Sequence, residues 1–117
     1  MDFIKTNLIY FWKIGKLVYE KRKVYDNIIE RSSKYFSYYF GNSYLFTRDN
    51  IHFMERFYLN FPIYYPKLNN ITWDQYKLLL MIEDKKERYF YFYLSLFFNS
   101  DIDETKEFIN NNYFLRI

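Results

Sequence analysis

Apolar residues recur at three- and four-residue steps along most of the chain, and this spacing restricts the fold to packed helices more tightly than any other property of the sequence. From Leu8 to Tyr19, the residues Leu8, Ile9, Phe11, Trp12, Ile14, Leu17 and Val18 fall on one broad stripe, and Lys21, Arg22 and Lys23 supply the cations a helix C-terminus favours. A second helix is expected from about Asp26, with Ile28, Ile29, Phe36, Tyr39 and Phe40 facing inward and Gly41 as its left-handed stop. Gly41-Asn42-Ser43 then reads as loop. Thr47 is suited to cap a third helix, in which Ile51, Met54, Phe57 and Tyr58 repeat until Pro62 ends it. Residues 62–71 read as loop.

Thr72-Trp73-Asp74-Gln75 has the form of a capping box, in which the hydroxyl and the amide each satisfy a backbone N–H that the first helical turn leaves free. It opens a short fourth helix with Tyr76, Leu79, Leu80 and Ile82 on its buried face. Asp84-Lys85-Lys86-Glu87 repeats the pattern and opens a fifth helix to about Phe98; a sixth is expected from Asp103 to about Asn111, with Asn110-Asn111-Asn112 as a fraying end. The aromatic run Tyr89–Phe98 also suits a buried strand, but its length and cap favour helix. The reading is all-α: a single compact bundle of five to six short helices, helix-turn-helix-like, filling residues 1–117 as one domain.

With 117 residues there is no room for a two-domain enzyme. The chain has 15 Tyr, 14 Phe and 2 Trp but no Ala or Cys, so rings build the core. A/T-rich codons are a simpler source of this skew than selection for base stacking. Each buried Tyr must bring its hydroxyl to water or a partner, which places many of them at the core margin. The lack of cysteine removes disulfides, thiol catalysis and Cys-bound metals, and makes the cytoplasm the expected compartment. Apolar runs are too short to cross a membrane.

The net charge of +3 is unevenly spread: residues 1–60 hold ten Lys or Arg against six acids, residues 61–117 seven against eight. Such an imbalance suits a phosphate or acidic partner without forming an obvious basic stripe. Catalysis has little to build on. His52 is the only histidine, with no nucleophile elbow, and two glycines cannot form a phosphate cradle. The triplets Glu83-Asp84-Lys85 and Glu104-Thr105-Lys106 match half of a nuclease signature, but both fall at helix starts, where acids act as caps. No cofactor or metal is expected. Lys85, Lys86 and Arg88, in the first turn after a short inter-helix turn, occupy the place where a helix-turn-helix makes contacts; Arg48 opens the third helix, and Lys77 lies on the fourth. For Arg88 a pairing with Asp84 or Glu87 is the competing expectation.

Three segments extend the pattern: Phe11-Trp12-x-Ile14-Gly15; Phe40-Gly41 followed by Asn50-Ile51-x-x-Met54-x-x-Phe57-Tyr58-x-x-Phe61-Pro62; and Ile71-Thr72-Trp73-x-x-Tyr76-x-x-Leu79-Leu80-x-Ile82-x-Asp84-x-x-x-Arg88-x-Phe90-Tyr91. Over roughly residues 8–95 this resembles the N-terminal domain of the YhcG-type PD-(D/E)XK nucleases, an all-helical, helix-turn-helix-like domain that precedes the nuclease. Three departures stand out: Tyr44-Leu45-Phe46-Thr47 replaces the family's Gly-Phe-Ser, Gln75 replaces a His, and acids around Asp101 and Asp103 replace a Trp-Ser-x-Arg segment. The resemblance implies an accessory module without the nuclease half. It would bind DNA or RNA through Arg48, Lys77, Lys85, Lys86 and Arg88, or serve as a protein-interaction module that inhibits or assembles a nuclease or phage-defence complex. Homodimerisation fits either. Gly15 in mid-helix implies close approach of another helix.

Overall fold

The computed structural model describes residues 8–41 and 44–116. Among these are seven α-helices, α1 (Leu8–Lys21), α2 (Ile28–Phe40), α3 (Arg48–Asn60), α4 (Trp73–Leu80), α5 (Lys85–Phe97), α6 (Ile102–Asn110) and α7 (Tyr113–Arg116), with a 3-10 helix at Pro66–Asn70 between α3 and α4 and no strand. The all-α expectation holds. Two short elements exceed the expected five to six helices. Pro66 presets the φ that a first helical position needs, and Leu68 is drawn into the core, so part of the supposed loop coils. Asn112 takes a left-handed φ of 54°, which Asn tolerates better than most residues, and this turns the chain from α6 into α7. The asparagine triplet is therefore a turn, and beyond it the Phe114 N–H donates to the Tyr91 hydroxyl at 3.1 Å. The helices fall into two compact units: residues 9–64, and Leu8 with the described residues from Tyr65 onward.

In the unit of residues 9–64, Phe11, Ile14 and Val18 of α1 are buried, as are Ile51, Met54 and Phe57 of α3. Gly15 lets the two helices meet backbone to backbone: a Cβ there would lie 2.0 Å from the Met54 carbonyl oxygen. The Trp12 indole donates to the Phe61 carbonyl at the end of α3 at 2.7 Å, and Arg22 binds the buried Glu55 carboxylate with two N–H groups. This pairing raises the Arg22 pKa further, chiefly through the hydrogen bonds. Thr47 caps α3 by accepting the Asn50 N–H at 3.2 Å. Gly41, at φ 67°, ends α2 with its N–H on the Ser37 carbonyl; Asn42 and Ser43 of the expected loop lie outside the described residues.

The inward face of α2 departs from expectation. Ile29 is buried, but Ile28 and Phe36 are only partly covered and Tyr39 and Phe40 are exposed. Ile9 and Leu17 of α1 also face outward. The buried stripe is narrower than the periodicity, because rings at both edges of a helix face count equally in a periodicity although only the centre meets a neighbour.

In the other unit, Trp73, Tyr76, Leu79 and Leu80 of α4 pack with Tyr91 and Phe92 of α5, and the Tyr76 and Phe92 rings stack at 6.2 Å. The Tyr76 hydroxyl donates to the Leu68 carbonyl. Asp101, one residue ahead of α6, accepts the Glu104 N–H at 2.9 Å while Glu104 accepts the Asp101 N–H, so the helix starts at Ile102 rather than Asp103.

Candidate nucleic-acid interface

Helix α4, the turn Met81–Asp84 and helix α5 form the helix-turn-helix-like element. Its first helix is fixed by the expected capping box. The Thr72 hydroxyl accepts the Gln75 N–H at 3.3 Å and the Gln75 amide oxygen accepts the Thr72 N–H at 2.9 Å. Gln75 also reaches beyond its own helix, donating through Nε2 to the Ser100 carbonyl at 2.8 Å and to Thr105 Oγ1 at 3.0 Å. Thr105 Oγ1 lies 3.0 Å from Ser95 Oγ, so one buried polar chain ties α4, α5 and α6 together. Buried polar groups of this kind hold only when each is satisfied, which makes the network specific for one packing of the three helices.

The second helix begins at Asp84, whose carboxylate accepts the Glu87 N–H at 2.8 Å. Arg88 turns back on the connection: Nη2 donates to the Ile82 carbonyl at 2.7 Å and the Glu83 carbonyl at 3.1 Å, and Nε to the Ile82 carbonyl at 3.1 Å. These bonds satisfy carbonyls of the turn itself, which lie beyond the last helical residue of α4. Arg88, nominated as a phosphate contact with pairing to Asp84 or Glu87 as the competing expectation, thus clamps the turn.

The remaining sequence-nominated cations differ in setting. Lys85 and Lys86 are exposed on the first turn of α5, with Lys85 Nζ 5.9 Å from the centre of the Tyr89 ring. Lys77 is partly covered and sits 3.6 Å from the Asp74 carboxylate. Arg48 belongs to the unit of residues 9–64, at the first position of α3, 3.6 Å from Glu30. The α4–α5 element therefore brings together Lys77, Lys85, Lys86 and Arg88 but does not contain Arg48. Glu83, Asp84 and Glu87 interleave with Lys85, Lys86 and Arg88, so residues 83–88 carry no net charge.

Rings continue the outer face of α5 beyond Lys85 at four-residue steps: Tyr89 partly covered, Tyr93 and Phe97 exposed. The signal for them is the spacing 85, 89, 93, 97, which is hidden in the sequence by the aromatic residues on every other face of the helix. Burial pushes the Tyr89 phenol above its ordinary value, with Arg88 pulling it down and Tyr93 pushing it up; burial likewise raises Tyr65, helped by Tyr93 and Tyr89. Both hydroxyls stay protonated well past neutral pH. Among the described residues no three His, Cys, Asp or Glu converge as metal ligands, and no helix is long and apolar enough to cross a membrane. His52 is exposed on α3.

The DUF1016 N-terminal domain family matches residues 4–116, which is nearly the full length of the chain and spans both units. The chain belongs to that family. This is the N-terminal domain of the YhcG-type proteins, so the resemblance carried by Trp12, Gly15, Met54, Trp73 and Tyr76 stands. In this DUF1016 domain Trp12, Gly15 and Tyr76 each have a packing or hydrogen-bonding role. No curated protein and no solved structure matches the chain.

Proposed function

We propose that this DUF1016 N-terminal domain is a non-enzymatic accessory module that contacts nucleic-acid phosphates through the first turn of α5. The observation that supports it is the pair Lys85 and Lys86, exposed at the start of the second helix of a helix-turn-helix-like element whose turn is held rigid by Arg88. Phosphate gains there both from the ammonium groups and from the positive end of the helix. Lys77, in the last turn of α4, flanks this turn. Tyr89 and Tyr93 lie along the same face and would stack on unpaired bases, so a single strand or a duplex end is favoured over regular duplex. In the cell such a module would bring a nuclease onto its substrate.

The test is fluorescence anisotropy with a labelled 20-nucleotide single strand and the corresponding duplex between 20 and 300 mM salt. Two or three neutralised phosphates give a log–log slope of about −1.4 to −2.1 on the single strand and about −1.8 to −2.7 on the duplex. The double charge reversal Lys85→Glu, Lys86→Glu should abolish binding without changing the fold. Absence of binding at 20 mM salt, or binding indifferent to that reversal, would refute the proposal.

The neutral balance of charge on residues 83–88 favours a second reading, a protein-interaction module that inhibits or assembles a nuclease or defence complex. Tyr93 and Phe97 would then be its anchors, since exposed rings make good interface centres. A stoichiometric complex with a protein partner that survives nuclease treatment, and is lost on Phe97→Glu, would decide for it.

A further inference from the structure

The outer face of α2 is a continuous aromatic surface. Tyr35, Tyr38, Tyr39 and Phe40 are 57, 82, 65 and 51% exposed. Their rings touch one another and connect to the core: Tyr35 and Tyr39 lie 4.5 Å apart, Tyr38 and Tyr39 5.3 Å, and Tyr35 and Phe36 5.3 Å, while Phe36 and Phe40 both contact the buried Phe46. The surface is therefore anchored on a packed interior. Tyr35 also borders a groove lined by Leu17, Tyr25, Ile28 and Arg31 within the same unit.

The aromatic part of this face carries no charge of its own. Residues 35–47 include no Lys, Arg, Asp or Glu, in a protein where 26% of residues are charged. The charges of α2, Glu30, Arg31 and Lys34, are confined to its first two turns, and two of them are engaged, Glu30 by Arg48 at 3.6 Å and Arg31 over the Tyr25 ring at 5.1 Å. A nucleic acid would find no cation on the aromatic part, and a strongly charged protein would find no counter-charge.

We propose that this face is the interface of a symmetric homodimer, in which α2 packs antiparallel against α2 of a second copy about an axis near Tyr38. A two-fold interface sets each patch against itself, so any charge at its centre would meet its own like; a charge-free centre rich in tyrosine meets that condition. Antiparallel packing also carries Arg31 and Lys34 to the rim, toward the C-terminal end of the facing helix, where its dipole favours cations. The area suffices. At about 200 Å² per ring, the exposed fractions of Tyr35, Tyr38 and Tyr39 leave on the order of 400 Å², and the exposed Leu17 and Tyr25 of the groove bring this to roughly 550 Å² per copy. Phe40, two residues on from Tyr38, lies around the helix toward Phe46 and adds nothing. Two copies then bury about 1,100 Å², above the roughly 1,000 Å² expected of a biological interface. The dimer rests on α2 and is independent of the phosphate contacts proposed for α5.

The test is sedimentation velocity of the full chain from 1 to 300 µM. The expected result is a concentration-dependent shift from 14.9 kDa to twice that mass, persisting in 1 M salt because no ion pair holds the interface. Tyr38→Glu with Tyr39→Glu should return the chain to monomer at every concentration, while its circular dichroism and its melting curve at 1 µM, where the parent is also monomeric, stay unchanged, since both side chains project into solvent. Tyr38→Phe should keep the dimer, and Phe97→Glu on α5 should leave it intact. A monomer at 300 µM, a dimer that survives the double glutamate variant, or a dimer broken by Phe97→Glu would each overturn the proposal. If the double variant lowers the melting temperature, Tyr38→Lys alone, at the most exposed of the four rings, repeats the test.

Discussion

Gly15→Ala should destabilise this protein, although the same change in an exposed helix interior would stabilise it by about 1 kcal/mol through helix propensity. The added Cβ would stand 2.0 Å from the Met54 carbonyl oxygen, 2.5 Å from the carbonyl carbon and 3.0 Å from the Glu55 nitrogen. A carbon approaches a carbonyl oxygen no nearer than roughly 3.3 Å in ordinary contacts, so α3 has to retreat from α1 by more than 1 Å. The obstacle is backbone inside a helix, and no change of rotamer relieves it. Backing the helices apart loosens the contacts of Ile51, Met54 and Phe57, all essentially fully buried, and a gap of 0.5–1 Å already forfeits about a quarter to a half of each dispersion contact. Overpacking in cores costs about 1–3 kcal/mol, and a rigid backbone obstacle belongs at the upper end. After the propensity gain is set against it, a net loss of about 2 kcal/mol remains, which lowers the melting temperature by roughly 8 °C in a chain of this size. Gly15→Val should cost more. The assay is urea unfolding followed by circular dichroism, with Lys13→Ala on the exposed side of α1 as the control, expected within about 0.5 kcal/mol of the parent. A Gly15→Ala protein as stable as the parent would refute the close approach of α1 and α3.

Three further outcomes are expected. Gln75→Ala removes the donors to the Ser100 carbonyl and Thr105 Oγ1 and half of the α4 capping box, and should cost about 2–4 kcal/mol in urea unfolding; a loss under 1 kcal/mol would mean the polar chain does not hold the three helices. Arg88→Ala should lower stability by about 1–3 kcal/mol, because the turn carbonyls lose their donors, and any fall in nucleic-acid affinity should follow the loss of fold. Unchanged melting with lost affinity would instead make Arg88 a phosphate contact. In alkali, the unfolded chain releases its tyrosine protons near pH 10 while burial keeps those of Tyr65 and Tyr89 bound to higher pH. Their contribution to stability is complete below about pH 10 and is lost as pH rises through the raised folded values. Urea midpoints measured from pH 8 to 11 should therefore fall less steeply for the Tyr65→Phe, Tyr89→Phe variant than for the parent.

Features made within one helical turn are legible in the sequence. Thr47, the Thr72–Gln75 box and Gly41 each act on backbone groups no more than four residues away, so residue type and spacing suffice. The third-helix positions Ile51, Met54 and Phe57 and the fourth-helix positions Tyr76, Leu79 and Leu80 are also buried as their periodicity requires. α6 starts one residue before the expected Asp103, because Asp101 and Asp103 are both acceptable caps and Glu104 selects between them. At the candidate interface, Lys85 and Lys86 were found as exposed cations at a helix start, whereas the role of Arg88 was not. Its partners are carbonyls, which every residue carries, and so leave no mark in the sequence.

What the residues determined alone is the six longer helices and the caps that bound most of them, because hydrogen bonds of helices and caps are local. Which apolar residues became core was decided by the neighbours each helix found: Val18 is buried against them, while Leu17, one position earlier and just as apolar, faces outward. Tertiary packing likewise chose the use of Gly15 and Gln75, the first admitting a backbone 39 residues away and the second spanning to Thr105. A periodicity fixes the direction of a helix face, and only the approach of another chain segment fixes how much of that face leaves water.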